Sequence, residues 1–336
     1  MKRSLGLPKG LALAAAILIG IAASLISSCR NAPGEMQTII VGVPPLEQNA
    51  LLYVAEARQL FESNGLKVTV KTYDTGVATI NALLSGEVDV AELAEFPFIK
   101  PALEKQPVRI IAVNDRFEND YLLVRKDRGI SNAADLKGKR IGVIRGTVLE
   151  FYLGRFLELN GISFSDVTIA DTVNTSRTTE AIINGEVDAV VAFQPHVSSI
   201  QNRLKEDVFI WPAQSNQLVN GILVSNVDWL SRNSDRVQRF LKALASAEKN
   251  LIEHPDEARN IVRNRLNLDE VYISRVWSQH QFGLSLDLSL ILAMNDEARW
   301  MIDNGLTSEK TIPDFREYIY LDGLKAVKPE AVNITR

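Results

Sequence analysis

The chain has 336 residues, 46% of them hydrophobic and 23% charged, a composition that fits about two globular domains and excludes low-complexity, collagen-like and disordered chains. Its single cysteine excludes a disulfide framework and any multi-cysteine metal site, and His196, His254 and His280 leave little material for a histidine-rich metal centre. The formal net charge of -4 argues against a nucleic-acid binder that works by neutralising phosphates.

Lys2, Arg3 and Lys9, with no acid among them, precede a 16-residue apolar run from Leu11 to Ile26 that only Ser24 interrupts. A positive start followed by an apolar core predicts a secretory signal peptide over residues 1–28. The run is shorter than the roughly 20 residues of a comfortable membrane span. It ends in Leu25-Ile26-Ser27-Ser28-Cys29, which resembles the bacterial lipobox. That resemblance implies cleavage before Cys29 and a lipid on its sulfur, anchoring the chain to a bacterial membrane on the extracytoplasmic side. The alternative is an uncleaved single-span anchor, which also leaves the bulk of the chain outside the cytoplasm. Residues 29–37 then read as a short tether.

Gln37–Val43 is an aliphatic strand ended by Pro44-Pro45, and Glu47–Asn64 has helical apolar spacing closed by Asn64-Gly65. Lys67–Thr72 alternates like a strand, Val77–Leu84 is a short helix, and Val88–Ala91 and Val108–Val113 are strands. The order then recurs about a hundred residues on. Arg140–Ile144 is a strand with Gly142 where Gly42 stood, Val148–Asn160 is a helix, and Val167–Ile169 is a strand. Ala82-Leu-Leu-Ser-Gly-Glu-Val-Asp-Val90 aligns with Ala181-Ile-Ile-Asn-Gly-Glu-Val-Asp-Ala189. Val208–Trp211 and Gly221–Val224 are short strands. Asp228–Glu253 is a long amphipathic helix, and Pro255–Arg265, Leu268–Gln279 and Leu286–Asn304 are further helices.

Strands alternating with helices predict parallel sheets, and the repeat predicts two similar α/β lobes. The helical segment is expected to pack back on the first lobe, so the chain crosses between lobes twice and forms a hinge. The expected division is residues 38–115 with 225–336 for the first lobe and 116–224 for the second. Ligands on such sheets bind beyond the carboxyl ends of the strands, which in two facing lobes line one cleft.

From Ile39 to about Ile200 the sequence resembles the nitrate/sulfonate/taurine-type substrate-binding proteins of ABC importers, whose relatives include binders of thiamine pyrimidine precursors. The residues that carry this are Val41-Gly42-Val43, Ala57–Gly65, Asn81–Ala91, Ala134-Asp135-Leu136-Lys137-Gly138-Lys139-Arg140-Ile141-Gly142-Val143, Arg145-Gly146-Thr147, and Gly185-Glu186-Val187-Asp188-Ala189 running into Phe193-Gln194-Pro195. The resemblance implies a type II periplasmic-binding-protein fold that closes on a small polar molecule. It also implies delivery of that molecule to a membrane permease and its ATPase, with no cofactor or metal and with a monomer as the expected state.

Arg145-Gly146-Thr147 ends a strand and opens a helix, where free backbone N–H groups and the Thr147 hydroxyl suit an anionic head group. The plain alternative is a strand-to-helix turn with Thr147 as its cap. Glu92 and Glu95, with Phe96 beside them, stand where the family often has small residues. Their carboxylates would repel a bare anion and suit an amine or a hydrogen-bonding heterocycle, unless they are simply solvated at the lobe rim. Glu47 and Gln48 add polar groups from the first strand's loop. Gln194 and His196 stand at the equivalent end of the second lobe, His196 with a bland reading as a helix-start surface residue. Asn114 and Asn220 flank the two crossings as pocket or hinge groups.

No phosphate loop, dinucleotide fingerprint, zinc-protease motif or nucleophile elbow is present. The rival readings are an enzyme on the same two-lobed fold and a ligand-binding sensor or adhesin partner. A lipobox argues against a cytosolic enzyme, and a neighbouring permease gene would separate import from sensing.

Overall fold

The computed structural model describes residues 36–214 and 217–335. The signal-peptide stretch, Cys29 and most of the tether lie outside the described residues.

In the first half, β1 (Gln37–Val43), β2 (Leu66–Thr72) and β3 (Val90–Ala94) alternate with α1 (Ala50–Ala57), α2 (Leu60–Ser63) and α3 (Gly76–Leu84). There follow α4 (Phe96–Leu103), β4 (Val108–Phe117) and β5 (Asp120–Arg125). In the second half, β6 (Arg140–Val143), β7 (Thr168–Asp171) and β8 (Ala189–Phe193) alternate with α5 (Val148–Leu159) and α6 (Thr175–Ile183), and α7 (His196–Leu204) follows. After β9 (Val208–Pro212) and β10 (Val219–Asn226) come α8 (Val227–Arg232), α9 (Ser234–Glu253), α10 (Pro255–Leu266), α11 (Glu270–Val276), α12 (Leu288–Asp303) and α13 (Leu321–Val327).

These strands form two five-stranded sheets of matching plan, ordered β2-β1-β3-β10-β4 and β7-β6-β8-β5-β9. In each, the first three strands are parallel and the fourth runs antiparallel to the third. The chain crosses between sheets through residues 118–119, between β4 and β5, and again between β9 and β10. Val219–Asn226 therefore lies in the first sheet, between β3 and β4, although residues up to 224 were expected with the second lobe. Its pairing on both sides holds Asn220 inside the first sheet.

The repeated nine-residue block has a physical cause. Asp89 Oδ2 accepts the Ile40 N–H at 2.8 Å, and Asp188 Oδ2 accepts the Arg140 N–H at 2.8 Å. Each aspartate thus ties its own strand's entry to the neighbouring parallel strand, at mid-strand in β1 and at the head of β6. The glycine at the centre of each block has positive φ, 75° at Gly86 and 71° at Gly185, which turns the helix into the strand. Gly42 and Gly142 also play one part twice. A Cβ on Gly42 would sit 3.0 Å from the Tyr73 ring, and one on Gly142 would sit 3.0 Å from Thr172 Cγ2.

Two long helical patterns break where single residues force it. Glu47–Asn64 is interrupted at Gln59, whose φ of 54° is left-handed. Asp228–Glu253 is interrupted at Asn233, whose Nδ2 donates to the Trp229 carbonyl at 2.8 Å and closes the preceding turn. The carboxyl-terminal helices pack mainly on the first lobe, α9 against α1, α2 and α13. α12 lies against α4 and also reaches α5 of the second lobe. Trp300 of α12 meets Phe96, Phe151 and Phe164 at ring-centroid distances of 6.0, 5.6 and 5.4 Å, an aromatic cluster shared by both lobes.

Candidate functional site

The parallel strands end on a common side, and the segments that follow them meet. Pro44 and Leu46–Gln48 follow β1, Asp74–Gly76 follow β2, and Ala94 and Pro97 lie at the end of β3. Ile144 and Thr147–Leu149 follow β6, Thr175 follows β7, and Phe193 ends β8. With Phe117, Asn119 and Asp120 of the first crossing and His280 of the carboxyl-terminal segment, they line a solvent-connected cleft of about 710 Å³. This is where open α/β sheets place ligands.

Three helices, α3, α5 and α6, begin at this cleft. Thr75 Oγ1 caps α3 by accepting the Ala78 N–H at 3.2 Å, and Asn174 Oδ1 caps α6 by accepting the Arg177 N–H at 2.9 Å. Thr147 does not cap α5; its hydroxyl donates backward to the Ile144 carbonyl at 2.6 Å. The first turn of α5 therefore keeps its positive end toward the cleft.

The lining carries three carboxyl groups, Glu47, Asp74 and Asp120, and one imidazole, His280. Glu47 Oε1 accepts the Tyr272 hydroxyl at 2.5 Å. His280 packs face to face on Phe282, with centroids 5.0 Å apart, and its Nδ1 is 2.5 Å from Asp115 Oδ2. Burial works against charge on this ring, but Asp115 and Glu47 outweigh it and hold the imidazole above its ordinary range. His280 Nε2, Asn119 Oδ1 and Asp120 Oδ2 are buried without a hydrogen-bond partner. Burial, with Glu95 pushing the same way, raises the Asp120 carboxyl to about 8.

Of the residues singled out in the sequence, Glu47, Gln48 and Thr147 line this cleft. Arg145, Gly146 and Phe96 line a second recess of about 1100 Å³ beside it. The anion expected at the α5 start is there already, supplied by the chain itself. Glu150 accepts the Gly146 N–H at 2.7 Å and the Arg145 Nε–H at 3.0 Å.

Glu92 and Glu95 are not at a solvated rim. Glu92 lies within β3 and both side chains are fully buried. Glu92 Oε1 accepts from Gln48 Nε2 at 2.7 Å, and Glu95 accepts the Asn220 backbone N–H at 2.9 Å and Asn220 Nδ2 at 2.8 Å. Burial pushes the Glu92 carboxyl up to about 8 and that of Glu95 to about 7. Asn114 donates to the Gln48 carbonyl at 2.8 Å. These residues support the cleft from behind. Gln194 accepts the Ser198 hydroxyl at 2.7 Å at the start of α7. His196 packs edge-on against Phe193 at 5.7 Å, lines two further recesses of about 170 and 880 Å³, and burial lowers its pKa.

Two matching sheets, two crossings and one lined cleft define the two-lobed periplasmic-binding-protein fold. The chain belongs to the family described as NMT1/THI5 like, whose model matches residues 47–258. It is 26% identical to the taurine-binding periplasmic protein of Escherichia coli K12, over 60% of this chain and 63% of that one. It is also 26% identical to a 4-amino-5-hydroxymethyl-2-methylpyrimidine phosphate synthase of Aspergillus parasiticus, over 62% of this chain and 65% of that one. Among solved structures it resembles the alkanesulfonate-binding protein SsuA of Xanthomonas axonopodis pv. citri bound to MOPS, with a TM-score of 0.72. That likeness covers 86% of this chain and 99% of the other at 19% identity, which carries the fold.

Proposed function

We propose that the protein is an extracytoplasmic solute receptor that captures a small polar molecule between its lobes and delivers it to an ABC permease and its ATPase. The observation that carries this reading is the cleft itself. Both lobes line it, two crossings allow them to move, and three of its lining residues carry a buried polar atom without a partner. A relative named for taurine binding and a structural neighbour named for alkanesulfonate binding support capture over turnover. The signal-peptide pattern and lipobox support a lipid anchor on Cys29 that keeps the receptor beside its permease, working as a monomer.

The test is a thermal-shift and calorimetric screen of the purified chain against nitrate, alkyl sulfonates, taurine, amines and pyrimidines. The reading expects saturable binding of at least one class with the molecule recovered unchanged. Chemical conversion of a bound probe, seen by NMR, would favour the enzyme reading.

A further inference from the structure

The lining of the cleft does not suit a bare anion. It holds three carboxyl groups and, among the described residues, neither lysine nor arginine; its His280 ring is paired with Asp115. Arg145 faces the neighbouring recess and is held by Glu150. Glu47 has a donor in Tyr272, but Asp120 Oδ2 and the adjacent Asn119 Oδ1 have none. Asp120 is 3% exposed and Asn119 6%. Both are fixed in place, since Gln214 Oε1 accepts the Asn119 N–H at 2.8 Å and the Asp120 N–H at 2.9 Å. Two buried acceptors without partners, both on residues that line one cleft, are costly until a donor fills them. Phe117 and Phe193 line the same cleft, and aromatic faces attract cations.

We infer that Asn119 and Asp120 form a receptor for a protonated amine, so that the captured solute carries an ammonium group, alone or joined to an acidic end. The inference rests on the solute-receptor reading and narrows it. As the ammonium arrives, its charge replaces the proton that burial keeps on Asp120; that proton leaves to solvent and a buried ion pair takes its place.

The test titrates the full chain in detergent with taurine, ethylamine and ethanesulfonate, which share a two-carbon frame and differ in their ends. Taurine or ethylamine is expected to bind at least about tenfold more tightly than ethanesulfonate. Asp120→Asn should weaken the amine probes roughly ten- to a hundredfold and leave ethanesulfonate unchanged, with Asn119→Ala as a second variant if Asp120→Asn does not melt cooperatively. Ethanesulfonate binding as well as the amines, amine binding indifferent to both substitutions, or no amine binding at all overturns the inference. In each of those cases the receptor reading is judged separately, by whether nitrate, sulfonates or pyrimidines bind.

Discussion

Glu150 accepts the Gly146 backbone N–H at 2.7 Å, so the strand-to-helix turn at Arg145–Thr147 carries its own anion. The same carboxylate holds the Arg145 guanidinium at 3.0 Å. Glu150→Ala therefore leaves a backbone donor and a cation unpaired beside a buried helix start. The expected loss in urea unfolding is about 1–3 kcal/mol, with solute affinity unchanged within about twofold. A large loss of affinity at unchanged stability would mean that this turn does face the solute.

Gly154 of α5 tests how the lobes are held together. A Cβ at this position would fall within the Trp300 indole, which also packs on Phe96 of the first lobe. Gly154→Ala must push α5 away from α12 or force the indole off its rotamer. Overpacking of this kind costs about 1–3 kcal/mol. A lowered melting temperature is expected, together with weaker solute binding because the lobes no longer meet as they did. A variant that melts and binds as the parent would show that the contact is loose.

Acidity should stabilise the empty protein. Burial pushes Glu92 and Asp120 up to about 8 and Glu95 to about 7, while the unfolded chain ionises these groups near their ordinary values of 4.5 and 3.8. The folded state therefore keeps protons that the unfolded state has lost. Stability from this source is full below the unfolded values and is lost as pH rises through the folded ones. The urea midpoint of the ligand-free chain is expected to fall between about pH 5 and pH 8 and then level off. Glu92→Gln, which keeps an acceptor for Gln48 and has no charge to bury, should flatten that slope. A midpoint that rises across the same range contradicts the assignment.

Cys29→Ser tests the anchor. Cys29 precedes the described fold, and the packed residues begin with β1 at Gln37. The variant is expected to fold and bind solute as before while losing incorporation of a labelled fatty acid. Equal incorporation in parent and variant would remove the lipoprotein reading.

The repeat was legible in the sequence because its residues do the same local work twice. Asp89 and Asp188 each tie a strand entry to its neighbour, and Gly42 and Gly142 each let a strand pass close to packed side chains. Helix and strand periodicity followed from these lobes. The cleft was less legible. Glu92 and Glu95 drew attention as charges near a strand end, yet strand pairing buries both, and their partners Gln48 and Asn220 lie far away in sequence. Asn119 and Asp120 went unnoticed although they form a polar step between the apolar runs of β4 and β5. That step was the available signal for a crossing. His280 was harder still, because its partner Asp115 is 165 residues away and only the return of the carboxyl-terminal segment joins them.

Capture of a solute by this fold requires its two lobes to close over the cleft. Small-angle X-ray scattering of the purified chain, with and without a saturating solute from the binding screen, measures that directly. A smaller radius of gyration is expected in the bound state, as the lobes rotate about the two crossings. A radius unchanged at saturation would contradict capture by closure.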